Sequence, residues 1–195
     1  MKKTLVVAAF LLSSFLLPVV SPAAVVLDVQ NGILMGASGV DVSGTLYDVQ
    51  FVDGSCNSLL SNCSTSAFTF HTWQDAVAAS FSLDAQVFTG VFDYFPDLTS
   101  GCSYVYGCNV VTPYSYDGGQ GASVGTSWFR NLRSAGDEVW SEYLTPSGDS
   151  TLLTSMTYAV WRPTPVTHVD EPAPLALLGV GLAALGIVRR RRRQA

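Results

Sequence analysis

Between Ala24 and His168 the chain has no lysine, and three arginines (Arg130, Arg133 and Arg162) stand against thirteen acidic residues. Such a surface has nothing with which to offset phosphate charge, which argues against nucleic acid and anionic lipid as partners of this stretch. Histidine is scarce as well, since His71 and His168 are the only two. With no C-x-x-C pair and so few imidazoles, a zinc site lacks its ligands. Phosphate loops, dinucleotide fingerprints, EF-hands and G-G-x-G-x-D repeats are missing, so no metal and no cofactor is expected. No heptad persists, which removes a coiled coil from consideration. A stretch of 145 residues is long enough to bury one core.

The remaining basic residues crowd the two ends of the chain. Lys2 and Lys3 precede an apolar run from Leu5 to Leu17, followed by Ser21-Pro22-Ala23. Charge, a short hydrophobic stretch and small residues at the −3 and −1 positions predict a secretory signal peptide over residues 1–23. At the other end Pro163 and Pro165 mark a stiff linker over 163–170. Glu171-Pro172 follows, then an unbroken apolar segment over 175–188, then Arg189 to Arg193. Fourteen helical residues rise about 21 Å against a hydrocarbon core of roughly 30 Å, a gap that snorkelling arginines close. Arginines at that edge place it on the cytoplasmic side of a transmembrane helix.

An acidic residue before proline, a short apolar span and a terminal arginine cluster resemble the PEP-CTERM sorting signal. The match covers about Val169 to Arg193, with Glu171 and Pro172 in the second and third positions and Asp170 where the first proline is usual. The resemblance implies that residues 171–195 are a sorting signal carried by Glu171, Pro172, Arg189, Arg190, Arg191, Arg192 and Arg193. It implies an exosortase-type processing enzyme as a partner, beside the secretion translocon, signal peptidase and the membrane. It also implies an inner-membrane-anchored precursor that ends at the cell surface or outside the cell, in the exopolysaccharide matrix of a Gram-negative bacterium.

Residues 24–162 form the expected extracytoplasmic domain. Cys56 and Cys63 enclose six residues, and Cys102 and Cys108 enclose five, among Gly, Ser and Asn. Local pairing within each couple is the simplest of three connectivities, and export favours oxidation. Short alternating runs separated by turn residues predict a mainly antiparallel sheet of about six to eight strands. Asn31-Gly32 signals a hairpin, and the phase of alternation flips across Ser43-Gly44, as at a bulge or a tight turn. Phe68 with Phe70, Tyr104 to Tyr106, Val110 to Tyr114, Val124 to Phe129, Val139 to Leu144 and Leu152 to Val160 are the later strand candidates. Tyr114 to Gly125, rich in Gly, Ser and Asp, is expected to be a mobile loop. One amphipathic helix over 73–87 makes the fold class α+β: Trp73, Val77, Phe81, Ala85 and Phe88 form a stripe with Ala76, Leu83 and Val87 beside it, Thr72 and Asp75 a capping box, and Gly90 a stop. Gly44 to Cys56, with Cys63 and the Asp75-Ala76 helix, is similar to exported domains that carry the same tail, a likeness that implies no activity.

Catalytic chemistry finds little support. Gly121-Ala122-Ser123-Val124-Gly125 matches the nucleophile-elbow pattern, but that motif needs a strand before the serine and a helix after it. Here the expected order is reversed, and His71 precedes the serine. Glu138 and Glu142 on a strand would stand about 13 Å apart, too far for a glycosidase pair. Asp93, Asp97 and Asp117 read as solvated acids. Tyr104, Tyr106, Tyr114, Tyr116 and Trp128 offer rings that stack on sugar faces. The competing account makes them half-buried sheet residues. The expectation is therefore a non-enzymatic structural or adhesive protein of the cell surface or matrix. The alternative is a carbohydrate-binding module that uses the Tyr/Trp cluster on extracellular polysaccharide, and a secreted serine hydrolase stands third.

Overall fold

A computed structural model describes residues 24–133 and 135–165. The signal peptide, the transmembrane segment, Glu171, Pro172 and the five terminal arginines lie outside the described residues. No helix among the described residues is long and apolar enough to cross a membrane.

Seven strands form one sheet: β1 (Val26–Gln30), β2 (Ile33–Val42), β3 (Thr45–Val52), β4 (Gly107–Asp117), β5 (Ser123–Leu132), β6 (Glu138–Leu144) and β7 (Met156–Pro163). Their spatial order is β1-β2-β3-β7-β4-β5-β6. All neighbours are antiparallel except β4 and β7, which pair in parallel through Asn109↔Met156 to Val111↔Tyr158. Both expected turns are two-residue hairpins. Asn31 and Gly32 have φ of 53° and 83°, and Ser43 and Gly44 have 53° and 88°, the left-handed values that match strand twist.

The helix α2 (Trp73–Gln86) lies where periodicity predicts it. The Thr72 hydroxyl accepts from the Asp75 N–H and donates to the Asp75 carboxylate, satisfying an orphan donor of the first turn. Its buried face matches the expected one only in part: Ala76, Leu83, Val87 and Phe88 are buried as expected, but the large residues of the stripe turn outward. Ala76, Ala79, Ser80 and Leu83 face the sheet, whereas Trp73 and Phe81 are 49% and 55% exposed and Ala85 is exposed too. The reason is distance. Phe51, Phe88 and Phe129 already fill the core on this side, with Phe88 packed 5.4 Å and 4.9 Å from the other two rings. Small side chains let the helix approach β5 until the buried Ser80 and Ser127 hydroxyls share a 2.8 Å hydrogen bond.

Two apolar clusters result. On the helix side Leu34, Val40, Val49, Phe51, Leu83 and Phe129 form the larger one. On the opposite face a stapled segment with the short helix α1 (Cys56–Leu59) covers Val111, Val124, Trp128 and Tyr158. Phe68 and Phe70 belong to no strand. They follow a 3-10 turn (Thr65–Ala67), and both are buried, Phe68 in the second cluster and Phe70 in the first. The disulfides are Cys56–Cys63 and Cys102–Cys108, with Cα separations of 5.2 Å and 5.7 Å. Such bonds persist in an oxidising compartment.

Three expectations need correction. Tyr104 to Tyr106 is a loop inside the second disulfide rather than a strand, because closing a bridge six residues apart prevents extension. Leu152 sits in a 3-10 turn (Ser150–Leu152) and is 81% exposed, so the last strand starts four residues later, at Met156. The Gly- and Ser-rich stretch after Tyr114 is mostly strand, with only residues 118–122 between β4 and β5. In addition, Pro163 closes β7 opposite Tyr47, and the Thr164 N–H donates to the Leu46 carbonyl, so ordered structure reaches into the expected linker.

Candidate functional site

The parallel pair gives the sheet a polarity. β4, β6 and β7 begin at one end, termed the leading end, while β7 finishes at the trailing end, where β1 also enters. The chemistry-bearing loops gather at the leading end. The helix α3 (Val91–Tyr94) is tied there because the fully buried Asn131 of β5 donates its amide to the Phe92 carbonyl, 2.6 Å away. The Cys102–Cys108 loop is tied there because the Ser103 and Tyr104 N–H groups both donate to the Thr154 carbonyl. Arg133 links the two: its N–H donates to the Tyr106 carbonyl, and its guanidinium lies 5.1 Å from the Phe95 ring centre. Tyr104 and Tyr106 meet edge to face at 5.5 Å, and Tyr94 lies 6.3 Å from Phe95. All four rings are exposed, as are Leu152 and Leu153 nearby.

Beside this aromatic surface is a cavity of about 310 Å³ lined by Asp53, Gly101, Cys102, Ser103 and residues 150–154. The Ser150 hydroxyl, 1% exposed, donates to Asp53 Oδ1 at 2.9 Å while accepting from the Gly54 N–H at 2.9 Å. Gly101 is required, since φ is +85° and a Cβ would come within 2.4 Å of Asp53 Oδ1.

The five aromatic residues expected to cooperate do not form one surface. Tyr104 and Tyr106 stand at the leading end. Tyr116, nine residues along β4 from Gly107, lies about 30 Å away at the trailing end. Tyr114 is half-buried and packs against the helix-side core, and burial, then Tyr143, pushes its hydroxyl above the usual range. Trp128 is 8% exposed, stacked on Trp140 at 5.5 Å, with its indole N–H donated to Thr126 Oγ1 at 2.7 Å. It offers no free ring face. Alternation puts even-numbered residues of β5 under the stapled α1 segment, which is why Trp128 is core.

Ser123 opens β5, so strand rather than helix follows it, and no hydrogen bond joins it to the exposed His71 among the described residues. Glu138 pairs with Arg130 at 3.2 Å, and Glu142 accepts from the Trp140 indole at 3.4 Å. Asp93 and Asp97 sit near the leading end and Asp117 at the trailing end. No group of three potential metal ligands forms among the described residues. Asp53, Gly101 and Ser150 went unnoticed in the sequence, because the Asp53–Ser150 contact spans 97 positions and leaves no local spacing. Tyr94-Phe95 was the one visible signal for the rest of the surface, as two large rings just before Pro96.

No known protein family matches the chain, and no curated protein or solved structure is similar to it.

Proposed function

We propose that this is an exported protein, sorted and processed at its C-terminus by an exosortase-type enzyme, whose stapled domain has a non-enzymatic adhesive role at the cell surface. The observation that carries the adhesive role is a cluster of exposed rings: Tyr94, Phe95, Tyr104 and Tyr106 stand together at the leading end, away from the end of β7. Exposed apolar surface gathered in one place marks an interaction site more often than scattered residues do. The two disulfides fit the oxidising compartment that export requires.

Intact mass of the protein from its own host, with and without the processing enzyme, tests the sorting. Enzyme-dependent loss of everything beyond about Glu171-Pro172 is expected. Retention of Arg189 to Arg193 in both strains refutes it and leaves a plain tail-anchored protein.

A further inference from the structure

We infer that the leading-end cavity and the ring pair beside it form a binding site for a neutral saccharide built of pyranose rings. The inference deepens the adhesive role above and rests on it for the place where such a ligand is met.

The cavity has the two kinds of wall that a pyranose needs. Ser103, Thr151 and Thr154 are hydroxyl-bearing residues of its lining, and Leu152 and Leu153 are apolar ones. Its single charge is Asp53. The carboxylate is held before any ligand arrives: Oδ1 accepts from Ser150 and rests against Gly101, while Oδ2 has no hydrogen-bond partner among the described residues. A fixed carboxylate oxygen accepts strong hydrogen bonds from ligand hydroxyls without having to be reoriented. Beside Gly101, the fully buried Thr157 Oγ1 also has no partner among the described residues. A buried polar atom is seldom left so, and Thr157 Oγ1 lies at the same glycine as Asp53 Oδ1.

The wall loop extends the site outward. Its disulfide and its two N–H bonds to Thr154 fix the loop, and Tyr104 and Tyr106 project from it 47% and 63% exposed. Tyrosine presents an apolar ring with a polar tip, which suits a sugar's C–H face and its edge hydroxyls. At about 310 Å³ the cavity falls at the small end of ligand sites.

Other ligand classes fit worse. An anion would meet Asp53 and a domain with thirteen acidic residues and no lysine. A hard cation needs about six oxygen ligands, usually including several carboxylates, and this cavity has one carboxylate. A peptide adding to the sheet needs an open strand edge, but β4 and β7, the strands that begin beside the cavity, are interior strands with both edges paired.

The test uses the purified full chain on an array of immobilised neutral hexasaccharides of glucose, mannose and galactose. Retention of at least one is expected, weakened tenfold or more by Tyr106→Ala and by Asp53→Asn and unchanged by Tyr116→Ala. Tyr106 is an exposed loop residue, so its variant stays informative even if Asp53→Asn disturbs the fold, which the unfolding midpoint reports. Failure of the wild-type protein to hold any of the three sugars overturns the inference. So does equal loss in Tyr116→Ala. Self-association in sedimentation that Tyr106→Ala abolishes, without sugar retention, would assign the surface to a second copy instead. None of these readouts depends on C-terminal processing, so the sorting proposal stands or falls separately.

Discussion

Asp137→Asn should stabilise the protein, and only above a defined pH. Asp137 lies between β5 and β6, where its Oδ1 accepts the Leu132 N–H at 2.8 Å and its Oδ2 is buried without a partner among the described residues. Burial raises its pKa from 3.8 to about 6, with Asp84 and Asp93 adding to the rise and the Leu132 N–H opposing it. Because the folded value lies above the unfolded one, the native state holds a proton that the unfolded chain has lost between about pH 4 and pH 6. The contribution of this one group to stability is therefore fully present below about pH 4 and is lost as pH rises through about 6. A shift of about two units corresponds to roughly 3 kcal/mol, and partial solvent access reduces the expected penalty to about 1–2 kcal/mol. Asparagine keeps the acceptor for Leu132, loses the charge, and offers an N–H to Asp84.

Urea unfolding of wild type and variant across pH 4 to 8 reads the effect of Asp137 together with its coupling to Asp84 and Asp93, since titrating groups that do not interact with Asp137 cancel in the comparison. With a slope of about 1–3 kcal/mol per molar, the variant's midpoint should rise by roughly 0.3–2 M at pH 8 and coincide with wild type near pH 4. A variant that is less stable at pH 8, or whose gain does not change with pH, refutes this account of the hairpin.

The rotated helix face makes opposite predictions for neighbouring positions. Ala79→Leu should cost about 1–3 kcal/mol by overpacking against β5, while Phe81→Ser should change the thermal midpoint little; the reverse order would restore the stripe expected from periodicity. Trp128→Ala should cost about 3–5 kcal/mol in denaturant unfolding, as a core aromatic does, and a value within about 0.5 kcal/mol would show an accessible ring after all. Replacing Cys102 and Cys108 together with serine should lower stability by about 2 kcal/mol, the chain-entropy value for so short a loop. Amide exchange should then accelerate at Ser103 and Tyr104 first, and equal acceleration at Val110 and Val111 would contradict a local role for the staple.

Much of the scaffold was readable because its signals are local. Asn31-Gly32 and Ser43-Gly44 specify hairpins through positive φ, Thr72 and Asp75 specify a helix start, and close cysteines found each other within their own loops. The parallel pairing was not readable. β7 enters between β3 and β4 through register such as Val49↔Trp161, more than a hundred residues apart, and nothing near Trp161 in sequence encodes its neighbours. The helix face was legible only in part: periodicity weighs hydrophobicity and includes Ala76, Leu83 and Phe88, but it ranks Trp73 and Phe81 above Ala79 and Ser80, which are buried for their small size. Tyrosine alternation behaved likewise: Tyr104 and Tyr106 alternate as a strand would, yet the bridge around them bends the chain.

The position of β7 also explains why the exposed aromatic surface and the end of β7 lie at opposite ends of the sheet. Had β7 followed β6 at the sheet edge as a simple hairpin, a turn would have sufficed between them. Instead, residues 145–155 return across the face carrying the stapled α1 segment, with the Asn57 N–H donating to the Pro146 carbonyl and Ser55 bridging Asp149. That return delivers Ser150, Leu152 and Thr154 to the leading end, beside Asp53 from the end of β3 and Ser103 from the loop before β4. Three segments distant in sequence thus meet at the origin of β7, and the strand then carries the chain away from them. A cavity assembled in this way depends on correct insertion of the central strand, so it forms only in the finished fold.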